Sequence, residues 1–225
     1  MLKIICFFNI IKESLKKKEK RCLKLKDGVL LVLSGPSGVG KGSVLKELVK
    51  LEGFKLSVSA TTREPREGET NEKDYYFISK DEFLKNVENG NMLEYNEFCG
   101  NYYGTLKSKL EALLKKNRVV ILEIDVNGAE NVLKSLDCVR VFLLPPSFLE
   151  LKKRLVNRGT ETQVSLKKRL EKAYFEIKKA YEYDYVVVND EINTAVNKIK
   201  AIVQAESLHV KNKKYKIDEI LKTVF

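Results

Sequence analysis

Histidine is nearly absent from this chain: His209, in a lysine-rich stretch near the C-terminus, stands alone. A His-based triad or a His-rich metal centre is therefore not expected, and catalysis is expected to rest on carboxylates, arginines and lysines. Cysteine is also scarce. Cys6, Cys22, Cys99 and Cys138 are scattered with no C-x-x-C pair, which speaks against zinc and a disulfide framework and suits a reducing cytosol. No segment reaches the about 20 apolar residues that span a bilayer. Ile4 to Ile11 is apolar apart from Asn9, too short to cross, and no small-residue cleavage site follows it. Integral membrane association is not expected, and the chain reads as cytoplasmic. Internal repeats and low-complexity tracts are missing as well.

What is present is a core. The chain has 225 residues, 44% of them apolar, enough for one packed domain with small inserts. Its net charge is +11, of which +6 lies in residues 1–27 and +2 in residues 206–225, leaving +3 for the rest. A basic balance invites a nucleic-acid reading, but the excess sits at the two ends. The core arginines fall in motifs suited to small phosphates, so no nucleic-acid partner is expected. Residues 1–26 read as a basic extension, expected to be poorly ordered in preference to a membrane-surface or targeting helix. Residues 207–225 read as a basic tail. No motif speaks to oligomeric state.

Gly35-Pro36-Ser37-Gly38-Val39-Gly40-Lys41-Gly42-Ser43 follows the apolar run Val29–Leu33 and precedes an amphipathic segment. The spacing fits G-x-x-x-x-G-K, the phosphate-cradling loop. Glycines let successive N–H groups face one concavity, the following helix adds the positive end of its dipole, and Lys41 supplies a mobile charge. A chance glycine-rich turn would not be expected to bring strand, loop, lysine and helix in this order. One position departs from the strict pattern. Gly42 stands where Ser or Thr would ligand Mg²⁺, and the hydroxyl comes one residue later, at Ser43. Either Ser43 reaches the metal, directly or through water, or phosphates and waters hold it.

From Gly28 onward, strand-like and helix-like segments alternate. Strands are expected at Val29–Ser34, Lys55–Ser59, Val119–Ile124, Val139–Leu143 and Tyr185–Val188. Helices are expected at Ser43–Leu51, Leu106–Lys116, Gly128–Ser135, Ser147–Val156, Val164–Tyr181 and Asn193–Ala205. Nearly continuous apolar strands with interleaved helices imply an α/β fold of P-loop NTPase type, a parallel sheet with helices on both faces. Two stretches interrupt it. A turn-rich segment leads into Tyr75–Ile78 and Met92–Tyr95, a small β-rich insert with a helix near Lys80–Glu88. Arg158 to Thr162 reads as a short lid loop. Such insertions at strand ends commonly build the substrate site.

Arg63 and Arg66 lie three apart, with Pro65 stiffening the backbone between them. Two guanidinium forks so placed can clamp one phosphate, and Tyr75 and Tyr103 can add phenol donors. Taken with Ser57–Thr62, Lys73-Asp74-Tyr75, Gly100-Asn101-Tyr102-Tyr103-Gly104, Ile124-Asp125 and Arg158-Gly159-Thr160-Glu161, these strings carry a resemblance. The chain resembles guanylate kinase across roughly residues 28–205. The phosphate loop alone indicates only NTP binding; the T-T-R-x-P-R and G-N-Y-Y-G strings are far more specific.

The resemblance implies an ATP-dependent enzyme acting on GMP and dGMP with Mg²⁺. It implies a domain over residues 27–206, with a GMP-binding insert at about 59–105 and a lid at about 154–170. Gly35 to Ser43 would hold ATP phosphates, and Asn189 would touch the ATP base or ribose. Arg63, Arg66, Tyr75 and Tyr103 fall to the GMP phosphate. Glu94, Asp125 and Glu123 fall to the donor edge of guanine, with Ser59 and Thr105 as hydroxyl contacts. Thr105 stands where Ser is also accepted, and Glu123 where Asp is expected. Asp125 has a second reading, as a ligand of Mg²⁺-bound water. Lys41, Arg158, Arg169 and Arg154 would stabilise the moving phosphoryl group. By spacing alone, these lid arginines equally suit helical pairing with Glu150, Glu161 or Glu171. Two rivals are another small-molecule kinase and a non-catalytic peptide-binding module. Glu94 with T-T-R-x-P-R argues against the first, and the intact Lys41, Arg158 and Arg169 against the second.

Overall fold

Every residue of Val29–Ser34 is buried, because this strand, β1, lies at the centre of a parallel sheet covered on both faces. The computed structural model describes residues 28–126, 137–157 and 163–223. Beside β1 run β2 (Phe54–Leu56), β7 (Val119–Glu123), β8 (Val139–Leu144) and β9 (Tyr185–Val188), in the order β2-β7-β1-β8-β9. All four pairings are parallel. After β7 the chain crosses β1 to continue at β8, so the order reverses at β1. Ligands of open α/β sheets bind beyond the strand C-termini at such a point.

The pleat sorts β1 between two cores. Val29, Leu31 and Leu33 pack on one face against α1 (Lys41–Leu48) and α6 (Ile192–Leu208), where Val44, Leu48, Ala195 and Ile199 are buried. Leu30 and Val32 face the other way, onto Leu110 and Leu114 of α3 (Lys107–Leu114). A smaller sheet, β4-β3-β6-β5, forms the insert: β3 (Ala60–Thr61), β4 (Tyr76–Phe77), β5 (Met92–Phe98) and β6 (Asn101–Leu106). Its own core is Ala60, Met92 and Phe83, the last from α2 (Lys80–Glu88). α4 (Phe148–Val156) and α5 (Gln163–Lys178) pair through Leu151, Leu155 and Ala173. The N-termini of α2 and α4 share one device: Ser79 accepts from the Glu82 N–H, and Ser147 from the Glu150 N–H. Both are S-x-x-E capping sequences.

The expected strands at Val29–Ser34 and Tyr185–Val188 and the expected helix at Lys80–Glu88 have the observed bounds. The strand expected at Lys55–Ser59 is instead Phe54–Leu56. Ser57 keeps one ladder bond, donating to the Ile121 carbonyl at 2.8 Å, but Ser57 to Ser59 leave the sheet to line a cleft. α1 begins at Lys41 rather than Ser43 and stops at Leu48, where a turn ends it through Leu51 N–H to Leu48 O and a left-handed Gly53. α5 stops at Lys178 and passes into a 3₁₀ turn at Lys179–Glu182. Strand β6 and a last helix, α7 (Val210–Leu221) within the basic tail, were not anticipated. The helix expected at Gly128–Ser135 and the extension 1–26 lie outside the described residues. Among the described residues no helix is long and apolar enough to cross a membrane.

Candidate active site

The loop after β1 curls through three glycines with positive φ. Gly38 (88°) and Gly40 (96°) take left-handed backbone, which glycine adopts without steric cost. A Cβ on Gly38 would meet Leu155 Cδ2 of α4 at 2.7 Å, and one on Gly40 would meet Asn189 Nδ2 at 2.6 Å. Gly40 caps α1 with no side-chain hydrogen bond, so the first N–H groups of the helix are directed at the loop concavity. Lys41 folds back over the loop, its Nζ donating to the carbonyls of Gly35 (2.6 Å) and Pro36 (3.4 Å).

The loop is braced from behind. Asn189, 3% exposed just after β9, donates its amide to the Val39 carbonyl at 2.8 Å. Its Oδ1 is buried with no partner among the described residues. Arg154 donates to the Asn189 carbonyl (3.0 Å) and weakly to Val39 O (3.4 Å), while its Nε pairs with Glu150 one turn back (3.1 Å). Arg154 thus realises the helical pairing and also touches the phosphate loop. Arg169 lies half-buried on α5. Arg158 lies outside the described residues.

A cleft of about 340 Å³ separates the two sheets. Lys41, Glu123 and Asp125 line it from the core, and Ser59, Tyr75, Glu94, Asn96 and Tyr103 from the insert. Glu94 and Thr105 are cross-strand partners on β5 and β6. Gly104 permits this approach, since a Cβ there would lie 2.5 Å from the Glu94 carbonyl. The Thr105 hydroxyl donates to Glu94 Oε1 at 2.7 Å. Burial pushes the Glu94 pKa up to about 7; the Asp125 charge acts in the same direction and the Thr105 hydrogen bond opposes it. Desolvation in the cleft also raises Glu123, against the Lys41 charge.

Arg63 Nη2 donates to both carboxylate oxygens of Glu69, at 2.8 and 2.9 Å, and the guanidinium lies 5.5 Å from the Tyr75 ring centroid. Tyr75 and Tyr103 meet edge-on at 6.0 Å. Arg63, Tyr75 and Tyr103 are therefore brought together as expected. Arg66 is exposed, and its backbone N–H rather than its fork holds Glu69, at 2.8 Å. Two residues that partner the expected site residues were missed in the sequence. Glu69 was signalled by its place three residues beyond Arg66; Asn96, whose amide donates to Asp125 Oδ2 at 3.2 Å, had only period-2 spacing from Glu94.

A lysine-bearing loop at the sheet's reversal point, opposite a small sheet with paired arginine and tyrosines, is the layout of a P-loop phosphotransferase. A family profile described as guanylate kinase matches residues 27–206. A guanylate kinase of Clostridium tetani is 50% identical over 187 residues, covering 83% of this chain and 90% of that protein. One from Lactiplantibacillus plantarum is 47% identical over 199 residues, covering 87% and 97%. The crystal structure of guanylate kinase from Anaplasma phagocytophilum superposes with a TM-score of 0.64 at 37% identity, covering 81% of this chain and 87% of that one. The chain belongs to the guanylate kinase family, the ATP:GMP phosphotransferases, whose products are ADP and GDP.

Proposed function

We propose that the cleft between the two sheets is the GMP site and the loop beneath it the ATP site. The buried Glu94 carboxylate carries this reading. It is held by Thr105 in the same cavity that Lys41 lines. Guanine offers N1–H and N2–H₂ donors, which a carboxylate accepts; adenine has no donor at N1 and would leave it unpaired, a mismatch worth on the order of 10⁴-fold. Asp125 and Glu123 extend the same acceptor edge, and Ser59 and Thr105 supply hydroxyls. dGMP is a second acceptor.

Arg63, with Tyr75 and Tyr103, receives the GMP phosphate, which takes the place of Glu69 on the guanidinium; Arg66 swings in from its exposed position. Gly35 to Ser43 receive the ATP phosphates, and Lys41 exchanges two carbonyl oxygens for phosphate oxygens. The unpartnered Oδ1 of Asn189 suits an amino donor on the ATP base. A GMP phosphate oxygen attacks the γ-phosphorus as the bond to the ADP oxygen breaks. The nucleophile is already ionised, so no general base is needed. Catalysis is alignment and charge stabilisation, supplied by Lys41 with Arg154, Arg158 and Arg169. Closure of insert and lid excludes water.

The residues fit Mg²⁺ in one way. Gly42 offers no hydroxyl, Ser43 is exposed on the first turn of α1, and no metal-holding group of three or more His, Cys, Asp or Glu stands among the described residues. That donor set suits an ion carried by phosphates and waters, with Ser43 or Asp125 reaching it through water. When bound, it neutralises charge across the β- and γ-phosphates.

The test is ADP formation from ATP and Mg²⁺ with GMP, dGMP, AMP, CMP and UMP as separate acceptors, beside Lys41→Ala and Glu94→Gln. Turnover with GMP and dGMP far above the rest, lost in Lys41→Ala and without base preference in Glu94→Gln, is expected. An unchanged preference in Glu94→Gln overturns the assignment of Glu94.

A further inference from the structure

We propose that Asn96 is a positioning residue for GMP, tying the insert to the core sheet through Asp125. Asn96 lies on β5 of the small sheet, and Asp125 closely follows β7 of the large one. The amide Nδ2 donates to Asp125 Oδ2 at 3.2 Å, across the mouth of the cleft that both residues line.

Three observations give this bond its meaning. Successive side chains of a strand alternate faces, so Asn96 shares the cleft face of β5 with Glu94, while Tyr95 between them packs its ring against Phe83 in the insert. Asn96 is also the cross-strand partner of Tyr103 on β6. One residue therefore adjoins the guanine-reading carboxylate along its strand and a phosphate-binding tyrosine across the ladder, and reaches the core with its side chain. The third observation is chemical. A neutral amide donor orients the Asp125 carboxylate without cancelling the charge that the donor edge of guanine would meet. An Asp in its place would set two carboxylates against each other, and an Ala would remove the bond between the two sheets at this point.

The tether holds the insert toward the phosphate loop before GMP arrives, so less of the binding energy goes into closing the cleft. It rests on the reading of Glu94 and Asp125 as the guanine edge. Asn96→Ala should raise the KM for GMP about 5- to 10-fold, the effect of one typical solvent-exposed hydrogen bond. The KM for ATP and the melting temperature should stay near wild type, and Asn96→Asp should raise the GMP KM further. In an Asp125→Ala background, Asn96→Ala should add nothing. Steady-state kinetics with each nucleotide varied, thermal melts and the double variant read these effects; should Asn96→Ala not fold, Asn96→Ser replaces it. A GMP KM unchanged by Asn96→Ala, while Glu94→Gln raises it, overturns the tether and leaves the site reading standing. Parallel rises in both KM values, or full additivity with Asp125→Ala, also overturn it. If Glu94→Gln and Asp125→Ala leave the GMP KM untouched, the site reading itself fails.

Discussion

Thr105 faces Glu94 across β5 and β6 and donates its hydroxyl hydrogen to Oε1 at 2.7 Å, in a pocket that leaves Glu94 9% exposed. The pair sets two opposing tendencies. Burial favours the neutral acid, while the hydroxyl donor favours the anion that guanine requires.

Glu94 should make stability and GMP affinity respond to pH in opposite directions. Its pKa is about 7 in the fold, against about 4.3 in an unfolded chain. Between those values the folded chain keeps a proton that the unfolded chain has lost, so stability falls as pH rises through this window, by about 4 kcal/mol in all. Glu94→Gln should remove that fall, read as melting temperature from pH 5 to 8. The GMP KM should instead rise as pH drops below about 7, because the base pairs with the anion.

Thr105→Val should raise the pKa that governs GMP binding above about 7, since the hydroxyl now lowers it. A pH profile of kcat/KM for GMP checks this, with Thr105→Ser expected to keep the wild-type profile. An unmoved profile in the valine variant would show that the hydroxyl does not tune Glu94.

Neighbouring glycines of the phosphate loop should differ sharply on substitution. Gly40→Ala puts a Cβ 2.6 Å from Asn189 Nδ2 at a φ of +96°, costing on the order of 1–3 kcal/mol and ATP binding with it. A Cβ at Gly42 would meet nothing within 4 Å, so Gly42→Ser should fold normally. Its new hydroxyl should lower the Mg²⁺ concentration needed for half-maximal rate. Thermal melts and Mg²⁺ titrations of the two variants decide both points.

Asn189→Ala removes the amide from the Val39 carbonyl and should raise the KM for ATP about tenfold while changing that for GMP little. Arg63→Lys should do the reverse. A single ammonium copies the Nη2 contact to both Glu69 oxygens but not the planar fork that a phosphate engages, so the GMP KM should rise at least about tenfold. Kinetics with each nucleotide varied in turn separate the two.

How far the sequence could be read depended on the range of the interactions. β1 announces itself because six consecutive residues are buried, and the phosphate loop because its backbone needs glycine at fixed spacing. The strand after α1 ended early because Ser57 to Ser59 face a cleft made by a second sheet, a neighbour that no local pattern reveals. β6 was hidden within G-N-Y-Y-G, whose Tyr102 packs on Phe83 while Tyr103 faces the cleft. Asn96 looked like an ordinary polar strand residue; its partner, 29 positions away, exists only once the two sheets are set face to face.

β1 separates Gly28 from Gly35 by six residues of strand, about 20 Å, and all four of its companions point the same way. The glycine-rich loop and the cleft therefore lie at one pole of the sheet and the backbone of Gly28 at the other. An affinity handle or surface linkage introduced just ahead of Gly28 would orient immobilised enzyme with its cleft toward the solution.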